Sequence, residues 1–359
     1  REGALEPGRQ ALMTSMVQPG FVAGALAISI TGLADRYDPR LITVLCSLGA
    51  AASTAALLFV SIGGNAAIAS RLATGALLAG VYPVGMKIVI GWGLRDRGTL
   101  VGILTGALTL GTASSYFVAF FGEADWRLVV AVSSLIGGAG GLLALGAGLG
   151  PHHANVPRFT PAAILLIVTE RGIRLPFFGC LGHMWELYAM WAWTATIATA
   201  SYAASIAPAE AVQLGKLTAA LAIALGGMAC MPAGLFGDRI GRAEVTIVAM
   251  TASGLAALLT AASFGGPVWL TFLFIIVWGI AIVPDSAQFS ALIADASPPH
   301  LAGSLLTFQT AIGFALTIFT VQVTPVVADV IGWPKLICIL AIGPALGVAA
   351  MWGMRRGAT

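Results

Sequence analysis

The sequence predicts an all-α membrane protein, and three observations lead to this prediction. Of its 359 residues, 58% are hydrophobic and only 9% are charged, whereas soluble globular chains carry about 25% charged residues. The mean hydropathy is +0.94. The apolar residues are gathered in long runs, as a helix needs in order to cross the hydrocarbon core. This composition excludes a soluble enzyme, a disordered protein and a nucleic-acid-binding protein.

Eleven apolar runs are candidates for membrane-spanning helices. Each span needs about 20 apolar residues, and charged or Gly/Pro-rich breaks separate the runs. Many of the 45 glycines lie inside them, where small residues let membrane helices approach closely. The runs lie at 12–33, 41–62, 65–92, 99–121, 127–149, 176–203, 214–236, 244–263, 267–293, 303–325 and 334–354.

One long polar stretch, 151–175, divides the chain and is predicted to be a linker. It separates an N-terminal bundle, 1–150, from a C-terminal bundle, 176–359. The four cysteines stand singly within apolar runs, which is typical of small buried side chains and not of a disulfide framework or a metal site. We therefore expect no metal and no cofactor.

The basic residues predict the orientation in the membrane. One set of alternate loops carries 11 of the 18 Lys and Arg residues, the other carries 6, and Lys87 inside a span completes the total. The positive-inside rule then places the linker and the C-terminus in the cytoplasm and residue 1 outside. We expect an integral multi-pass protein, most simply in a bacterial cytoplasmic (inner) membrane.

The two halves carry copies of one motif. After the first span the chain reads GLADRYDPR (32–40), and after the seventh it reads GLFGDRIGR (234–242). A second repeat aligns 81–87 with 282–288. Internal duplication of this kind is typical of transporters whose binding site lies between the repeats. The acidic and basic residues of the motif are Asp35, Arg36, Arg40, Asp238, Arg239 and Arg242.

The second copy, G-x-x-G-D-R-x-G-R, resembles the signature cytoplasmic loop of the major facilitator superfamily. The first copy resembles a degenerate version, in which Gly32 is one place late and Asp38-Pro39 replaces the usual Gly-Arg. The resemblance covers the chain except for the family's first helix, so the runs are numbered spans 2 to 12. We expect the missing helix to precede Arg1 in the native protein.

The resemblance implies two pseudo-symmetric six-helix bundles, of which this chain would hold eleven helices, and a central cavity lined by helices 1, 4, 7 and 10. It implies a transporter that works by alternating access. It also implies that Asp35 and Asp238 lie near arginines and neighbouring helix N-termini, where they lock one state of the cycle. The alternative is that both loops are static structural caps.

Ionisable residues inside apolar spans mark the candidate site, because each costs about 2.5 to 3.5 kcal/mol at the centre of a helix. They are Lys87 in span 4, His183 and Glu186 in span 7, and Asp285 in span 10. The resemblance would make each of these helices line the cavity. Helical spacing places His183 with Glu186 on one face, and Asp285 with Gln288 and Trp278 on another. We expect both faces to look toward water.

These residue types suggest two roles. Glu186, with His183 one turn away, is the first candidate to carry a coupling proton, since the protonation of a partly dry carboxylate depends on its neighbours. Lys87 would attract an anionic substrate group, with His183 and Gln288 as hydrogen-bonding partners. The alternative is that Lys87 snorkels to the cytoplasmic surface and that Glu186 and Asp285 make packing or gate contacts.

Prolines and aromatic residues occur at similar depths. Pro83 and Pro284 remove backbone hydrogen bonds and are predicted to kink spans 4 and 10, either for gating or as static bends. Tyr82, Trp185 and Trp278 would stack on a ring-bearing solute, although membrane Trp and Tyr are more often anchors or packing residues.

We predict a secondary transporter, such as a symporter, for a small polar or anionic solute, coupled to protons. Its partners would be that solute, the lipid bilayer and protons, with no nucleic acid, and it would act as a monomer. A transporter-like sensor or assembly protein without solute flux is the alternative. No paired catalytic residues stand out, so an enzyme is not expected.

Overall fold

The computed structural model describes residues 9, 13, 15–121, 126–153 and 164–356. Within these residues all regular structure is helical, with 3-10 turns at Ala144–Gly146 and at 164–165. The helices are α1 Val17–Thr31, α2 Leu33–Arg36, α3 Pro39–Ala56, α4 Asn65–Leu78, α5 Tyr82–Ile90, α6 Arg97–Phe121, α7 Trp126–Leu143, α8 Leu166–Thr169, α9 Arg171–Tyr202, α10 Pro208–Ile240, α11 Arg242–Ser263, α12 Val268–Ile282, α13 Pro284–Ala296, α14 Ala302–Ile331, α15 Trp333–Leu340 and α16 Ile342–Arg356.

Nine helical segments of the described chain are long and apolar enough to cross a membrane. Two further helices coincide with predicted spans. The first, α1, has only 15 residues, and the second, α9, has 32 residues but is not among the nine. The nine are Pro39–Ala56, Asn65–Ile90, Arg97–Val118, Trp126–Gly146, Pro208–Ile240, Arg242–Ser263, Val268–Ala296, Ala302–Ile331 and Trp333–Arg356.

The two motif copies form tight corners, and reading them as loops was largely wrong. Residues 33–36 form α2, and α10 continues to Ile240 before α11 starts at Arg242. Glycine allows both corners, because Gly32 has φ 62° and Gly241 has φ 116°, values that side chains with a Cβ rarely adopt. At each corner, the change of chain direction therefore takes only one to three residues.

The predicted linker is partly helical. The short helix α8 and the start of α9 at Arg171 fall inside 151–175, while residues 154–163 lie outside the described residues. The division of the chain into bundles at this stretch stays a prediction.

Two prolines coincide with helix interruptions. The helix of span 4 is broken between Leu78 and Tyr82, just ahead of Pro83, and that of span 10 is broken at Val283, just ahead of Pro284. Proline cannot donate a backbone hydrogen bond and disfavours helical geometry at the preceding residue. Each proline therefore lies in the first turn of a new helix, where that loss matters least.

The described residues form two compact units. Unit 1 comprises Arg1–Trp92, Ala124–Leu166 and Ser297–Ile318, and unit 2 comprises Gly93–Glu123, Ile167–Ala296 and Phe319–Thr359. Both units therefore contain helices from before and after the predicted linker.

Unit 1 is held together by close helix packing. A Cβ added to Gly24 of α1 would overlap the backbone of Ala76 in α4, so these two helices approach as closely as glycine permits. The rings of Phe21 and Phe314 stack with centroids 4.2 Å apart. These contacts join α1 to both α4 and the first part of α14.

In unit 2, glycines allow equally close helix packing at two places along α10. A Cβ on Gly106 of α6 would approach the carbonyl oxygen of Gly227, and one on Gly226 would overlap the carbonyl of Gly279 in α12. Small residues at such crossings let helices pack backbone to backbone in a membrane. Close packing on both sides of α10 positions the polar side chains described next.

Candidate functional site

Four polar side chains are buried inside unit 2. His183 and Glu186 belong to α9, and Asp285 and Gln288 belong to α13. Each is at most 2% exposed. The expectation that their helix faces look toward water is therefore wrong in this structure, because the side chains meet neighbouring helices instead. We call these four residues the buried cluster.

Glu186 is held by two neutral donors. The hydroxyl of Ser253 in α11 donates to Oε2 at 2.8 Å, and the indole Nε1 of Trp278 in α12 donates to Oε1 at 2.7 Å. Two good hydrogen bonds stabilise a carboxylate that burial would otherwise disfavour. These contacts fix the Glu186 side chain between three helices.

His183 and Asp285 form a close pair across α9 and α13. The Nδ1 atom of His183 lies 2.9 Å from Oδ1 of Asp285, yet the two atoms are not aligned for a hydrogen bond, and Nε2 has no partner among the described residues. The distance is that of an ion pair when the imidazole is protonated. We therefore describe the contact as an ion pair that depends on the protonation of His183.

The start of α13 explains where Asp285 lies. Because the helix begins at Pro284, Asp285 occupies its first turn. A carboxylate in the first turn of a helix is stabilised by the free backbone N–H groups there. The break between α12 and α13 thus creates a favourable position for a buried negative charge beside His183.

Gln288 follows Asp285 by one turn and is completely buried. Neither its Oε1 nor its Nε2 atom has a hydrogen-bond partner among the described residues. Burying an unpaired amide is unfavourable. The buried cluster therefore contains polar atoms that are not satisfied in this arrangement.

The aromatic candidates are separated. Trp278 contacts Glu186 as described, whereas Trp185 donates its indole N–H to the carbonyl of Ile339 at 3.2 Å. Tyr82 is the first residue of α5 in unit 1. Of the three, the structure brings only Trp278 to the buried cluster.

Lys87 lies in unit 1 and is 6% exposed. Its Nζ atom donates to the backbone carbonyl of Ala34 in α2 at 2.7 Å. This bond ties α5 to the corner formed by the first motif copy. Both roles considered for Lys87, binding of an anionic substrate group and snorkelling to the cytoplasmic surface, stay predictions.

In the second motif copy, Asp238 joins two helices. Its Oδ1 accepts from the backbone N–H of Gly98 at 2.9 Å, and its Oδ2 accepts from the N–H and the hydroxyl of Thr99, both at 2.7 Å. Gly98 and Thr99 are in the first turn of α6, so Asp238 caps that helix from the end of α10.

Arginines extend this contact. Arg242 pairs with Asp238 at 2.8 Å and also with Asp295 at the end of α13. Asp295 in turn accepts from Arg97 at 2.9 Å. We call Asp238, Arg242, Asp295 and Arg97, with the α6 amides, the helix-end network. It connects the ends of α6, α10, α11 and α13 inside unit 2.

The first motif copy is paired locally. Arg40 and Asp38 form a salt bridge at 2.7 Å, and Asp38 also caps α3 by accepting from the backbone N–H of Arg40. The hydrogen bonds from Arg40 lower the pKa of the Asp38 carboxyl. Asp35 belongs to α2, but its side chain lies outside the described residues.

The remaining two motif arginines are exposed. The guanidinium of Arg36 lies 5.9 Å from the ring centroid of Tyr37. Arg239 lies in the last turn of α10. Exposure leaves both side chains free to interact with solvent or lipid headgroups.

A search of the described residues for metal sites finds no group of three or more His, Cys, Asp or Glu side chains that could hold an ion. Among the described residues, none of the four cysteines, Cys46, Cys180, Cys230 and Cys338, forms a disulfide.

Comparison with known families identifies the chain. The model of the major facilitator superfamily matches residues 5–313. The chain belongs to the major facilitator superfamily. The resemblance inferred from the two motif copies is thereby confirmed. Together with the nine long apolar helices found in the described part of the chain, membership makes this an integral multi-pass membrane protein of a transporter family.

Solved structures of the superfamily share the fold. The human organic anion transporter MFSD10 (TETRAN) gives a TM-score of 0.71 at 17% identity, covering 95% of this chain and 82% of that protein. The E. coli fucose:proton symporter FucP gives 0.71 at 12% identity, with 96% and 90% covered. The proton:xylose symporter XylE gives 0.72 at 14%, with 98% and 88% covered. Identities this low show the fold alone, and the predicted all-α superfamily fold is confirmed.

A search of curated protein sequences finds no match.

Sequence reasoning missed the partners of the site residues. Ser253 is one of many small residues in an apolar span, and only its place opposite Glu186 distinguishes it. Thr99 and Gly98 likewise look like an ordinary helix start. A Thr in the first turn of a predicted helix was a weak signal, but nothing in the sequence pairs it with Asp238.

Proposed function

We propose that this protein is a secondary transporter that moves a small polar or anionic solute by alternating access and couples its movement to protons. The contacts of Glu186 carry the proton-coupling part of the proposal. Two proton symporters and an organic anion transporter are among the structural neighbours. These neighbours are compatible with proton coupling and with a polar or anionic solute.

Glu186 can exchange a proton without rebuilding its surroundings. The indole of Trp278 is a donor only, so Oε1 accepts in either state. The hydroxyl of Ser253 both donates and accepts, so it can donate to an ionised Oε2 or accept from a protonated one. A proton on Oε2 therefore changes the charge of the buried cluster while both contacts persist.

The His183–Asp285 pair supplies a second place for a proton. A histidine ring nitrogen can bind and release a proton, and the Nδ1 atom of His183 lies 2.9 Å from Oδ1 of Asp285. Because His183 and Glu186 are one helical turn apart on α9, a charge on one affects the other. We propose that the coupling proton resides on this cluster during part of the cycle.

Alternating access requires the breaking of contacts that join the predicted bundles. In unit 2, Asp238 of α10 holds the start of α6, and in unit 1 the hydroxyl of Ser29 in α1 donates to the carbonyl of Ser304 in α14 at 3.0 Å. Each contact links a helix before the predicted linker to one after it. We propose that both are closed in one state and open in the other.

For the substrate, Lys87 supports an anionic group. A buried ammonium favours a negative partner, and the Lys87 ammonium is buried, donating to the backbone carbonyl of Ala34. Movement of the first motif corner would break this bond and change the surroundings of the ammonium. We propose that the solute carries a carboxylate, phosphate or similarly charged group.

We also propose that the motif corners and the C-terminus face the cytoplasm of a bacterial cell and that the protein acts as a monomer. The distribution of basic residues supports this orientation. A reporter fused after Arg356 that is active only in the cytoplasm tests it, and activity of a periplasmic reporter at the same position would contradict it.

The function is tested with purified protein in proteoliposomes. A panel of small anionic and polar solutes is offered with and without an inward proton gradient. We expect gradient-driven accumulation of at least one solute. The Glu186→Gln variant should keep solute exchange at equal pH but lose accumulation, because the amide keeps the contacts and cannot release a proton.

Glu210 in the first turn of α10 is exposed, so Glu210→Gln is the matched control and should behave as the wild type. Gradient-driven accumulation in Glu186→Gln equal to the wild type would refute proton coupling through this residue. Absence of flux for every solute would favour the sensor alternative.

A further inference from the structure

The side chain of Gln288 lies between the buried cluster and the helix-end network. It follows Asp285 by three residues on α13, so the two side chains share a face of that helix. Asp285 pairs with His183. Gln288 instead extends toward the crossing of α6 and α10, where its amide meets two glycines.

Gly237 and Gly98 have no side chains, and the amide of Gln288 fills the space between them. A Cβ on Gly237 of α10 would overlap Oε1 of Gln288, and a Cβ on Gly98 of α6 would lie 3.0 Å from the same atom. The Gln288 amide is thus fitted between the two helices.

The same two glycines belong to the helix-end network. The backbone N–H of Gly98 donates to Oδ1 of Asp238, and Gly237 directly precedes Asp238 in the chain. Gln288 therefore contacts the donor residue and the neighbour of the acceptor residue in the bond that joins α6 to α10.

Packing alone does not explain a glutamine at this position. Both amide atoms are buried without a hydrogen-bond partner among the described residues, which is unfavourable. A leucine of similar volume would fill the space without that penalty. The amide therefore has hydrogen-bonding capacity that no contact among the described residues uses.

We propose that Gln288 is a positioning residue that transmits the charge state of the His183–Asp285 pair to the helix-end network. When the pair gains or loses its proton, the first turn of α13 shifts against α9. The Gln288 amide lies one turn further along α13 and moves with the first turn. It then forms hydrogen bonds with the Asp238 carboxylate and the α6 backbone amides, which separate from each other. This inference rests on the proposed function, whose coupling proton it connects to the gate.

Other titratable and charged groups also meet α13 from the helices packed against it. Any of them could contribute to a pH response, so the test must leave them in place. They are His183 and Glu186 of α9, Cys230 and Asp238 of α10, Arg242 of α11 and Arg97 of α6, together with Asp285 and Asp295 of α13 itself.

Hydrogen exchange at Gly98 and Thr99 measures the network directly, because both amides donate to Asp238. The full chain in nanodiscs is followed by mass spectrometry between about pH 5 and about pH 8, the range in which histidine titrates. After correction for intrinsic exchange rates, we expect wild-type protection to change by about tenfold, within the range typical of coupled sites.

Gln288→Leu should abolish that pH dependence while protection persists at all pH values. Gln309→Leu is the matched control, because Gln309 is a buried glutamine in unit 1 whose Oε1 also lacks a partner among the described residues. It should keep the wild-type response. If Gln288→Leu does not fold, Gln288→Met, unbranched and of equal length, takes its place.

Two results would overturn the inference. One is wild-type protection that does not change with pH, and the other is a Gln288→Leu response equal to that of the wild type. A failure of the proposed function looks different. In that case Glu186→Gln still accumulates solute with the gradient, while the Gln288-dependent response of the amides remains.

Discussion

The buried cluster and the helix-end network are two charged assemblies in the same unit, and they differ in how well their polar atoms are paired. In the network, both carboxylate oxygens of Asp238 accept hydrogen bonds from α6, and Arg242 balances the charge. In the cluster, atoms of His183 and Gln288 have no hydrogen-bond partner among the described residues.

This difference separates a well-paired contact, which stabilises the state that the structure shows, from one whose polar atoms can gain partners in another state. The side chains of Asp238 and Arg242 are each 9% exposed, so removing either one leaves a largely buried charge without that partner. A partly paired cluster gains new partners when a proton or a helix moves. We therefore expect variants of the network to act mainly on stability and variants of the cluster mainly on transport.

The largest effect on stability is expected from Asp238→Ala. The variant removes the acceptor of the α6 amides and one of the two carboxylates that pair with Arg242, and removing one partner of a largely buried pair costs roughly 3 to 5 kcal/mol. A large fall in the melting temperature in detergent should result, with faster exchange of the Gly98 and Thr99 amides. A melting temperature equal to that of the wild type would contradict the difference that we expect between the helix-end network and the buried cluster.

A smaller loss is expected from Trp278→Phe. The ring still packs, but Glu186 loses the N–H donor at 2.7 Å, and a hydrogen bond to a charged group contributes about 1.5 to 3 kcal/mol. Trp269 at the start of α12 is 66% exposed, so Trp269→Phe is the control. Equal melting temperatures for the two variants would mean that the indole bond does not support Glu186.

Lys87→Met tests the basic residue of unit 1. The methionine keeps an apolar stem but removes the donor to Ala34, with an expected loss of about 1 kcal/mol. If Lys87 also binds an anionic solute, the apparent affinity for that solute falls by about tenfold, which corresponds to about 1.4 kcal/mol. Lys335→Met, at an exposed position of α15, should change neither quantity. Unchanged solute affinity in Lys87→Met would contradict a role of Lys87 in solute binding.

The smallest effect is expected from Asp38→Asn. Its salt bridge with Arg40 is about one-third exposed on each side, and exposed pairs contribute at most about 1 kcal/mol. Because Arg40 lowers the folded-state pKa of Asp38, this stabilisation is present above the unfolded pKa of about 3.9 and disappears as the pH falls through the folded value. Melting temperatures at neutral and acidic pH measure the effect, and a pH-independent difference would contradict the assignment.

The sequence was sufficient for the fold and for the residues of the cluster but not for their partners. Apolar runs and the G-x-x-G-D-R-x-G-R motif led to the family because both are local patterns. The two ends of the Glu186–Ser253 bond are 67 positions apart and those of Asp238–Thr99 are 139 apart. Such pairs depend on how the helices pack against each other. The periodicity of apolar residues in the sequence does not specify that packing.

The expectation of water-facing stripes was wrong for the same reason. Helical spacing correctly placed His183 and Glu186 on one face of α9, but it does not say which neighbour that face meets. Only the positions of α11 and α12 show that Glu186 points to Ser253 and Trp278.

The central claim, that Glu186 carries a coupling proton, is tested most directly by solute-induced proton movement. Proteoliposomes that contain a pH-sensitive dye are mixed with a transported solute in the absence of any imposed gradient. The wild type and Glu210→Gln should acidify the lumen as the solute enters, and Glu186→Gln should give no dye signal while it still exchanges solute. A dye signal of wild-type size in Glu186→Gln would contradict the account.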